Sequence, residues 1–366
     1  MPAPTSVLRR ALFALGPWLG LLCAWGLFAV AAGATFVAPE NQRLMLLQTA
    51  VVGTAAVGAT LVIASGGIDL SVGSAIALTT VVLGVLLRAG AHPWLAASGA
   101  VLAAVACGVL VGALVTGRLP LALALAAAAV AAALLGAKLG VVGTVVSVVI
   151  VVGVGWFSAV RVRARLPLSP FIVTLGLWGA LRGAAKGLAD NQPVYADAMG
   201  SLPRLMAPAE SGIFAALPAG VWLLLAVAAS MVLVLRATPF GRHALAIGSN
   251  EATARLCGVD VEGRKILIYA AAGVCTGLAG VLQFSYLSMG DPTTAQGLEL
   301  DVIAAVVIGG ASLSGGEGSI VGTLAGALLM TVIDNGCAKL GVDNWVQEIV
   351  TGAIIVGAVA LDRARA

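Results

Sequence analysis

Long apolar stretches separated by short polar gaps dominate the pattern of this 366-residue sequence. A helix that crosses a bilayer needs about 20 apolar residues, because the hydrocarbon core is about 30 Å thick and each residue adds 1.5 Å. The pattern therefore predicts an all-α polytopic membrane protein with about 10–12 transmembrane helices. The predicted segments are 11–38, 44–64, 74–87, 93–115, 119–137, 139–160, 168–186, 213–235, 266–287, 300–312, 318–338 and 345–361.

The amino-acid composition excludes most soluble proteins. The chain is 60% hydrophobic and 10% charged, whereas an average soluble domain is roughly 45–50% apolar and about 25% charged. So few charged side chains could not cover a water-facing surface of this size. The net charge of +4 is too small to indicate nucleic-acid binding. Two histidines and five cysteines without a CxxC pair give no metal site and no disulfide framework.

Basic residues in the short loops predict the orientation of the chain. Arginine and lysine cluster at 161–165 and 236–265, whereas the loop 187–218 carries three acidic side chains against one arginine. Twelve crossings put both basic clusters and both termini on one side. Because such residues are enriched in cytoplasmic loops, we expect a multi-pass protein of the bacterial cytoplasmic (inner) membrane. The segment 236–265 is then a cytoplasmic loop.

Two glycine-rich segments interrupt the apolar pattern in a similar way. ASGGIDLSVGSAIA (64–77) and VIGGASLSGGEGSIV (307–321) share the motif G-G-x-x-L-S. Irregular backbone at membrane depth is tolerated only where it is buried in protein or lines a cavity, and transporters use such broken helices. We therefore predict two broken or re-entrant segments, facing the same side, that line a translocation pathway. The candidate residues are Gly66, Gly67, Asp69, Ser71, Gly309, Gly310, Ser312 and Ser314.

Charged residues beside apolar stretches are few. Asp69 follows a glycine pair, and its carboxylate could accept backbone N–H groups that the helix break exposes. Arg182 and Lys186 lie one helical turn apart, and we expect them to extend toward the membrane surface from a helix end.

Small residues recur at helical spacing, a pattern that lets helix backbones approach closely in lipid. We expect this packing role for Gly318, Gly322 and Gly326, which are three in register. The spacings at 108/112, 179/183/187 and 273/277 could equally arise by chance in a glycine-rich chain.

The cytoplasmic loop contains a short helix signal. Ser249 or Asn250 can cap a helix, Glu251 favours its positive end, and Gly258 can end it in a left-handed turn. We expect a helix of one or two turns between 249 and 258 that projects into the cytoplasm and docks a partner.

Sequence motifs for catalysis are missing. The chain has no G-x-x-x-x-G-K-[ST] loop for phosphates, no HExxH metal motif and no G-x-S-x-G nucleophile motif. We therefore expect a protein that is not an enzyme and that cannot hydrolyse ATP by the phosphate-loop route.

Four blocks of the sequence are similar to one known family. GGIDLSVGS (66–74), LPLSPFIVTLG (166–176), RHALAIGSNEATARLCGV (242–259) and ELDVIAAVVIGGASLSGGEGSIVGTLAGALL (299–329) resemble the permease subunits of ribose/xylose-type ABC sugar importers. The resemblance runs over about 44–118 and 164–363. It implies two permease copies in the membrane, a cytoplasmic ATPase that uses the ATP, and an external binding protein that delivers a monosaccharide such as ribose, xylose or galactose. It implies no cofactor on this chain.

The resemblance also assigns roles to residues. It implies that 249–258 is the coupling helix received by the ATPase, with Asn250, Glu251, Ala252, Arg255 and Gly258 as the candidate contacts. The family usually has Asn-Asn-Gly where this chain has Asp-Asn-Gly at 334–336, so Asn335 is a candidate pathway residue. The segment 119–160 is absent from the family pattern, and we expect an inserted, lipid-facing helical hairpin within a single transmembrane domain.

Other functions are compatible with the same pattern. A related group of permeases carries branched-chain amino acids or nucleosides and shares the general plan. An ion-coupled secondary transporter would also be polytopic, but the intramembrane acidic residues are few and form no obvious proton or sodium relay.

Overall fold

The computed structural model describes residues 4–118, 168–196, 199–207 and 217–365. The predicted hairpin at 119–160 lies outside these residues. Within them the regular structure is helical, apart from one isolated antiparallel bridge between Val194 and Gly290. The helices are α1 Pro4–Ala31, α2 Ala34–Val37, α3 Pro39–Ala64, α4 Val72–Arg88, α5 Pro93–Val115, α6 Pro170–Leu188, α7 Ala219–Ala237, α8 Pro239–Ser249, α9 Glu251–Leu256, α10 Val261–Leu287, α11 Leu298–Ile308, α12 Ile320–Lys339 and α13 Asn344–Arg365, with a 3-10 helix at Leu202–Met206.

Five of the described helices are long and apolar enough to cross a membrane: α3, α5, α7, α10 and α12. Three shorter apolar stretches, Leu15–Ala31, Val72–Arg88 and Asn344–Ala360, accompany them. The prediction of an all-α polytopic membrane protein is therefore confirmed. The total of 10–12 crossings and the re-entrant course of the two glycine-rich segments stay predictions.

Proline and polar caps fix where many helices begin. Several helices begin with proline, whose missing N–H is not needed in the first turn, among them α3 at Pro39, α5 at Pro93, α6 at Pro170 and α8 at Pro239. Other starts are capped by side chains. Asp260 accepts a hydrogen bond from Gly263 N, and Ser319 accepts one from Gly322 N.

The first crossing ends earlier than the sequence pattern predicted. We expected one segment over 11–38, but α1 ends at Ala31 and the short α2 follows. Gly33 has a positive φ of 61°, which breaks the helix. Ala38 is held extended by the proline that follows it, so a new helix starts at Pro39. The chain therefore turns at 32–38.

Helix α3 lies at the centre of the bundle. Most of its side chains are buried, and it packs against α7, α10, α11 and α12. A helix that is apolar all round is expected in such a position. Polar side chains on α3 are satisfied within the bundle, for example by the 2.8 Å hydrogen bond between the hydroxyls of Thr60 and Thr323 on α12.

Glycines bring several helix backbones into direct contact. A Cβ on Gly322 would collide with the carbonyl oxygen of Gly309, and one on Gly326 with that of Ala305, so α11 and α12 touch at these positions. Gly318 faces Ala64 of α3. The packing role predicted for Gly318, Gly322 and Gly326 is confirmed.

Two of the other glycine pairs also allow close helix packing. Gly108 and Gly112 of α5 and Gly273 and Gly277 of α10 lie against each other's helices, where any Cβ would clash. On α6, by contrast, Gly179, Gly183 and Gly187 have no atom of the described residues within 4 Å of a Cβ position.

The helices define two ends of the molecule. At one end the finishing turns of α3 and α5 meet the starts of α6 and α10, where Gly66, Val115, Pro170 and Lys265 share one crevice. The loop 236–265 lies at this end. At the other end Gly200 packs on Pro93, and the bridge from Val194 to Gly290 joins two loops.

Candidate translocation and coupling site

The two glycine-rich segments meet the loop 236–265 at a three-way backbone contact, which we call the glycine junction (Gly66, Gly248 and Gly315). A Cβ on Gly315 would lie 2.9 Å from the Cα atoms of both Gly66 and Gly248. The backbone N–H of Gly316 donates a 2.9 Å hydrogen bond to the carbonyl of Ala64. This contact brings the two segments together at one end of the described helices, while their common side of the membrane stays a prediction.

Asp69 forms an Asx turn just before α4. Its Oδ1 accepts hydrogen bonds from the backbone N–H of Ser71 at 2.9 Å and from the Ser71 hydroxyl at 2.6 Å. The carboxylate thus serves a backbone N–H that the break leaves outside any helix. Ser71 is buried, whereas Asp69 is partly exposed.

The segment between α3 and α4 runs inside the bundle. The hydroxyl of Tyr269 donates a 3.4 Å hydrogen bond to the carbonyl of Ile68, and the backbone of Tyr269 packs on Gly108 of α5. Tyr269 lies eight residues from the start of α10. At 1.5 Å per residue the segment reaches about 12 Å into the bundle from the glycine junction end.

In the second segment, Gly309 and Gly310 end α11. Gly309 packs on the backbone of α12, and Gly310 has a positive φ of 92°, a conformation that glycine adopts without strain. Ser312 accepts a 3.3 Å hydrogen bond from the backbone N–H of Ser314, which is exposed. These residues form the turn that carries the chain to Gly315.

Asn335 lies apart from the other candidates. It is 15 residues, about 22 Å, beyond the start of α12. Its side-chain amide exchanges hydrogen bonds of 2.8 and 3.1 Å with Asn41 of α3, and both residues are buried. The structure therefore brings Asn335 to an interhelical amide pair at the opposite end, away from the glycine junction.

The predicted short helix of the cytoplasmic loop is confirmed, with narrower bounds than expected. Asn250 caps α9 by accepting a 2.9 Å hydrogen bond from Thr253 N, and Ser249 instead ends α8. Gly258 follows the helix with a φ of 84°, the left-handed turn that the sequence suggested.

Ion pairs fix α9 to the start of α10. Arg255 contacts Glu251 at 3.1 Å and Glu262 at 2.5 Å, and Lys265 contacts Glu251 at 2.6 Å. The hydrogen bond to Glu262 raises the pKa of Arg255. Each exposed pair contributes little alone, but the three share partners and restrict how α9 can turn.

One side of α9 is anchored and the other is open. Ala254 is buried against Ile247 of α8 and Val261 of α10. Ala252 and Leu256, one helical turn apart, are exposed, and the Leu256 side chain is 88% exposed. The side of α9 that faces away from α8 and α10 therefore presents Ala252 and Leu256 to the surroundings.

A second polar cluster was not predicted from the sequence. Arg182 is buried, and its guanidinium donates hydrogen bonds to the carbonyls of Pro292 at 3.1 Å and Thr294 at 2.5 Å. The expectation that it extends to the membrane surface is wrong, because the 288–297 loop folds back and presents carbonyl acceptors to it. Lys186 is exposed, as expected. The one sequence signal for this cluster was that Arg182 is a charged residue in an otherwise apolar stretch.

These features define a multi-pass protein of the cytoplasmic membrane in which α8 contacts two glycine-rich segments of the transmembrane bundle. The chain belongs to the family described as "Branched-chain amino acid transport system / permease component", which matches residues 117–359.

Three curated relatives illustrate the similarity. The ribose import permease protein RbsC of Bacillus subtilis is 34% identical over 349 residues, which cover 95% of this chain and 92% of the relative. The L-arabinose ABC transporter permease protein AraH of Azospirillum brasilense is 32% identical over 330 residues, covering 90% and 82%. The probable ABC transporter permease protein YphD of Escherichia coli is 42% identical over 189 residues, which cover 52% of this chain and 55% of YphD. No solved structure matches the chain.

These relatives support the sugar-importer interpretation over the alternatives. The relatives that cover most of the chain are named for ribose and arabinose. The family description names branched-chain amino acids, but the relatives named for ribose and arabinose cover 90–95% of this chain, so the sugar interpretation is the one supported.

Proposed function

We propose that this chain is the membrane-spanning permease subunit of an ABC importer that carries a monosaccharide of the ribose, xylose or galactose type into the cell. Two copies form the pathway, a separate cytoplasmic ATPase supplies the energy, and an external binding protein delivers the sugar. The chain itself performs no catalysis and binds no cofactor. Similarity to the ribose and arabinose permeases supports the choice of substrate class.

The observation that carries this proposal is the glycine junction. Helices α8 and α9 are joined directly, since the backbone N–H of Asn250 donates to the carbonyl of Ala246 and the Asn250 side chain caps α9. Gly248, in the last turn of α8, touches Gly66 and Gly315. A displacement of α9 is therefore transmitted through one rigid backbone contact to both broken segments.

The open face of α9 supports contact with the ATPase. Leu256 and Ala252 present an apolar surface, while Glu251 and Arg255 are held in place by ion pairs at its rim. An apolar centre with a charged rim is the usual composition of a protein interface.

Reconstitution tests the proposal. Proteoliposomes holding the permease with the ATPase and binding protein encoded beside it should take up ribose, xylose or galactose when ATP is present. The purified permease alone should neither bind ATP nor move sugar. Uptake by the permease alone, driven by an ion gradient, would contradict the proposal.

A substitution at Leu256 tests the coupling role. Full burial of a leucine side chain contributes about 1.5–3 kcal/mol, so Leu256→Ala should weaken ATPase association by tenfold or more. Leu256→Met keeps a similar volume and is the matched control. Since this side chain is 88% exposed, neither change should lower the Tm of the permease. Unchanged ATPase binding by Leu256→Ala would place the contact elsewhere in the loop.

A further inference from the structure

Helices α4, α6 and α11 meet away from the glycine junction, where Trp178 of α6 pairs with Glu299 of α11 beside Gly73 in the first turn of α4. Nε1 of Trp178 donates a 2.9 Å hydrogen bond to Oε1 of Glu299. Oε2 of Glu299 lies directly against Gly73, which precedes Ser74. The cluster therefore includes the first turn of α4, immediately after the broken segment that contains Asp69.

Two atoms of this cluster are buried without a hydrogen-bond partner among the described residues. One is Oε2 of Glu299, whose side chain is 7% exposed, and the other is Oγ of Ser74, which is fully buried. Buried polar groups are nearly always paired, because an unmet hydrogen bond is unfavourable. A carboxylate oxygen can only accept, whereas a serine hydroxyl can donate or accept.

The remaining polar groups around these atoms already have partners. Arg182 donates to the carbonyls of Pro292 and Thr294, and Nε2 of Gln283 donates to the Thr294 hydroxyl at 2.8 Å. These bonds hold the loop before α11 in place, with the carbonyl of Ala295 against Gly73. The opposite charges of Arg182 and Glu299 also attract each other, so Arg182 and this loop both help to fix the position of Glu299.

A sugar offers hydrogen-bond partners for Oε2 of Glu299 and Oγ of Ser74. Its hydroxyls can donate to Oε2 of Glu299 and exchange a hydrogen bond with Oγ of Ser74, while its C–H faces can pack on the indole of Trp178. We propose that Glu299, Ser74 and Trp178 form a contact site for the hydroxyl groups of the transported monosaccharide, closed in the conformation described. This inference rests on the proposed function and adds the residues that contact the substrate.

Gly73 explains why the site is closed without a ligand. A Cβ at this position would overlap Oε2 of Glu299 and the carbonyl of Ala295, so the carboxylate occupies the space beside the α4 backbone. A sugar can enter only when α11 moves away from the start of α4. Such a movement is available because α4 follows the first broken segment and α11 precedes the second.

The test uses variants that remove the unpaired atoms. Ser74→Ala deletes a hydroxyl that bonds to nothing in the described conformation, so a purely structural role predicts no loss. Ser285→Ala is the matched control, since this buried serine bonds to Val281 O of its own helix at 2.8 Å. Each permease is reconstituted with the ATPase and the binding protein, and uptake of ribose and arabinose is measured beside Tm and sugar-free ATPase activity.

We expect Ser74→Ala to lower sugar uptake by about two- to tenfold and to change the ratio of ribose to arabinose uptake, with Tm and sugar-free ATPase activity unchanged. Glu299→Gln keeps the shape and the Trp178 contact but loses the charge, and should lower uptake by roughly tenfold or more. Ser285→Ala should match the wild type.

Two results would overturn this inference without contradicting the proposed function. One is uptake by Ser74→Ala and Glu299→Gln that equals the wild type. The other is a parallel loss of Tm, sugar-free ATPase activity and uptake, which indicates a structural role. A wild-type permease that takes up no sugar with its ATPase and binding protein would instead contradict the proposed function, and this inference with it.

Discussion

Replacing Gly248 by alanine perturbs the glycine junction with one methyl group. A Cβ at this position would overlap the carbonyl oxygen of Ala64 and lie 2.5 Å from the backbone nitrogen of Gly316. Both neighbours are backbone atoms of segments that are themselves packed, so neither can rotate aside as a side chain would. The added methyl group therefore displaces the end of α8 and pushes Ala64 and Gly316 apart.

The loss of stability in Gly248→Ala follows from three contributions. Forcing an extra methyl group into a packed site costs about 1–3 kcal/mol. Separation of Gly316 from Ala64 removes a 2.9 Å backbone hydrogen bond, a loss of about 0.5–1.5 kcal/mol. Alanine is favoured over glycine within a helix by about 1 kcal/mol. The net destabilisation is roughly 0.5–3.5 kcal/mol, which lowers the Tm by a few degrees.

Thermal unfolding and coupled transport of the purified permease–ATPase complex measure the effect. Gly248→Ala should lower the Tm and reduce sugar uptake per ATP hydrolysed, while the ATPase stays bound through α9. Gly352→Ala is the control, because a Cβ at Gly352 meets no atom of the described residues within 4 Å. A Gly248→Ala complex with the Tm and uptake of the wild type would refute the argument that this contact is tight and transmits movement.

Two further substitutions test local structure. Asn41→Ala and Asn335→Ala each leave a buried amide unpaired and should cost about 1–3 kcal/mol by chemical unfolding, whereas the double variant should cost less than the sum; strict additivity would mean that the pair is not coupled. Gly258→Val forces a β-branched residue into a left-handed turn at about 1 kcal/mol or more and should speed amide hydrogen exchange in α9. Gly258→Asn tolerates that turn and is its control; equal exchange in both variants would contradict the requirement.

The sequence alone determined the helices well, because the length of an apolar stretch and the residues at its ends are local properties. The predicted 93–115 matches α5, Pro93–Val115, and the predicted 74–87 lies within α4, Val72–Arg88. The Asn250 cap and the turn at Gly258 were also predicted, since a cap needs only neighbours within four residues. The repeated G-G-x-x-L-S motif indicated two related breaks.

Contacts between distant segments were decided only by the tertiary structure. Nothing local distinguishes Gly248, which meets Gly66 and Gly315, from the many glycines that face open space. Likewise, the burial of Arg182 and the open hydrogen-bonding atoms of Glu299 depend on where the 288–297 loop folds. In a chain this rich in apolar residues the hydrophobic pattern fixes which segments are helical. Steric fit and hydrogen bonding between them, which depend on three-dimensional distance, fix the sites.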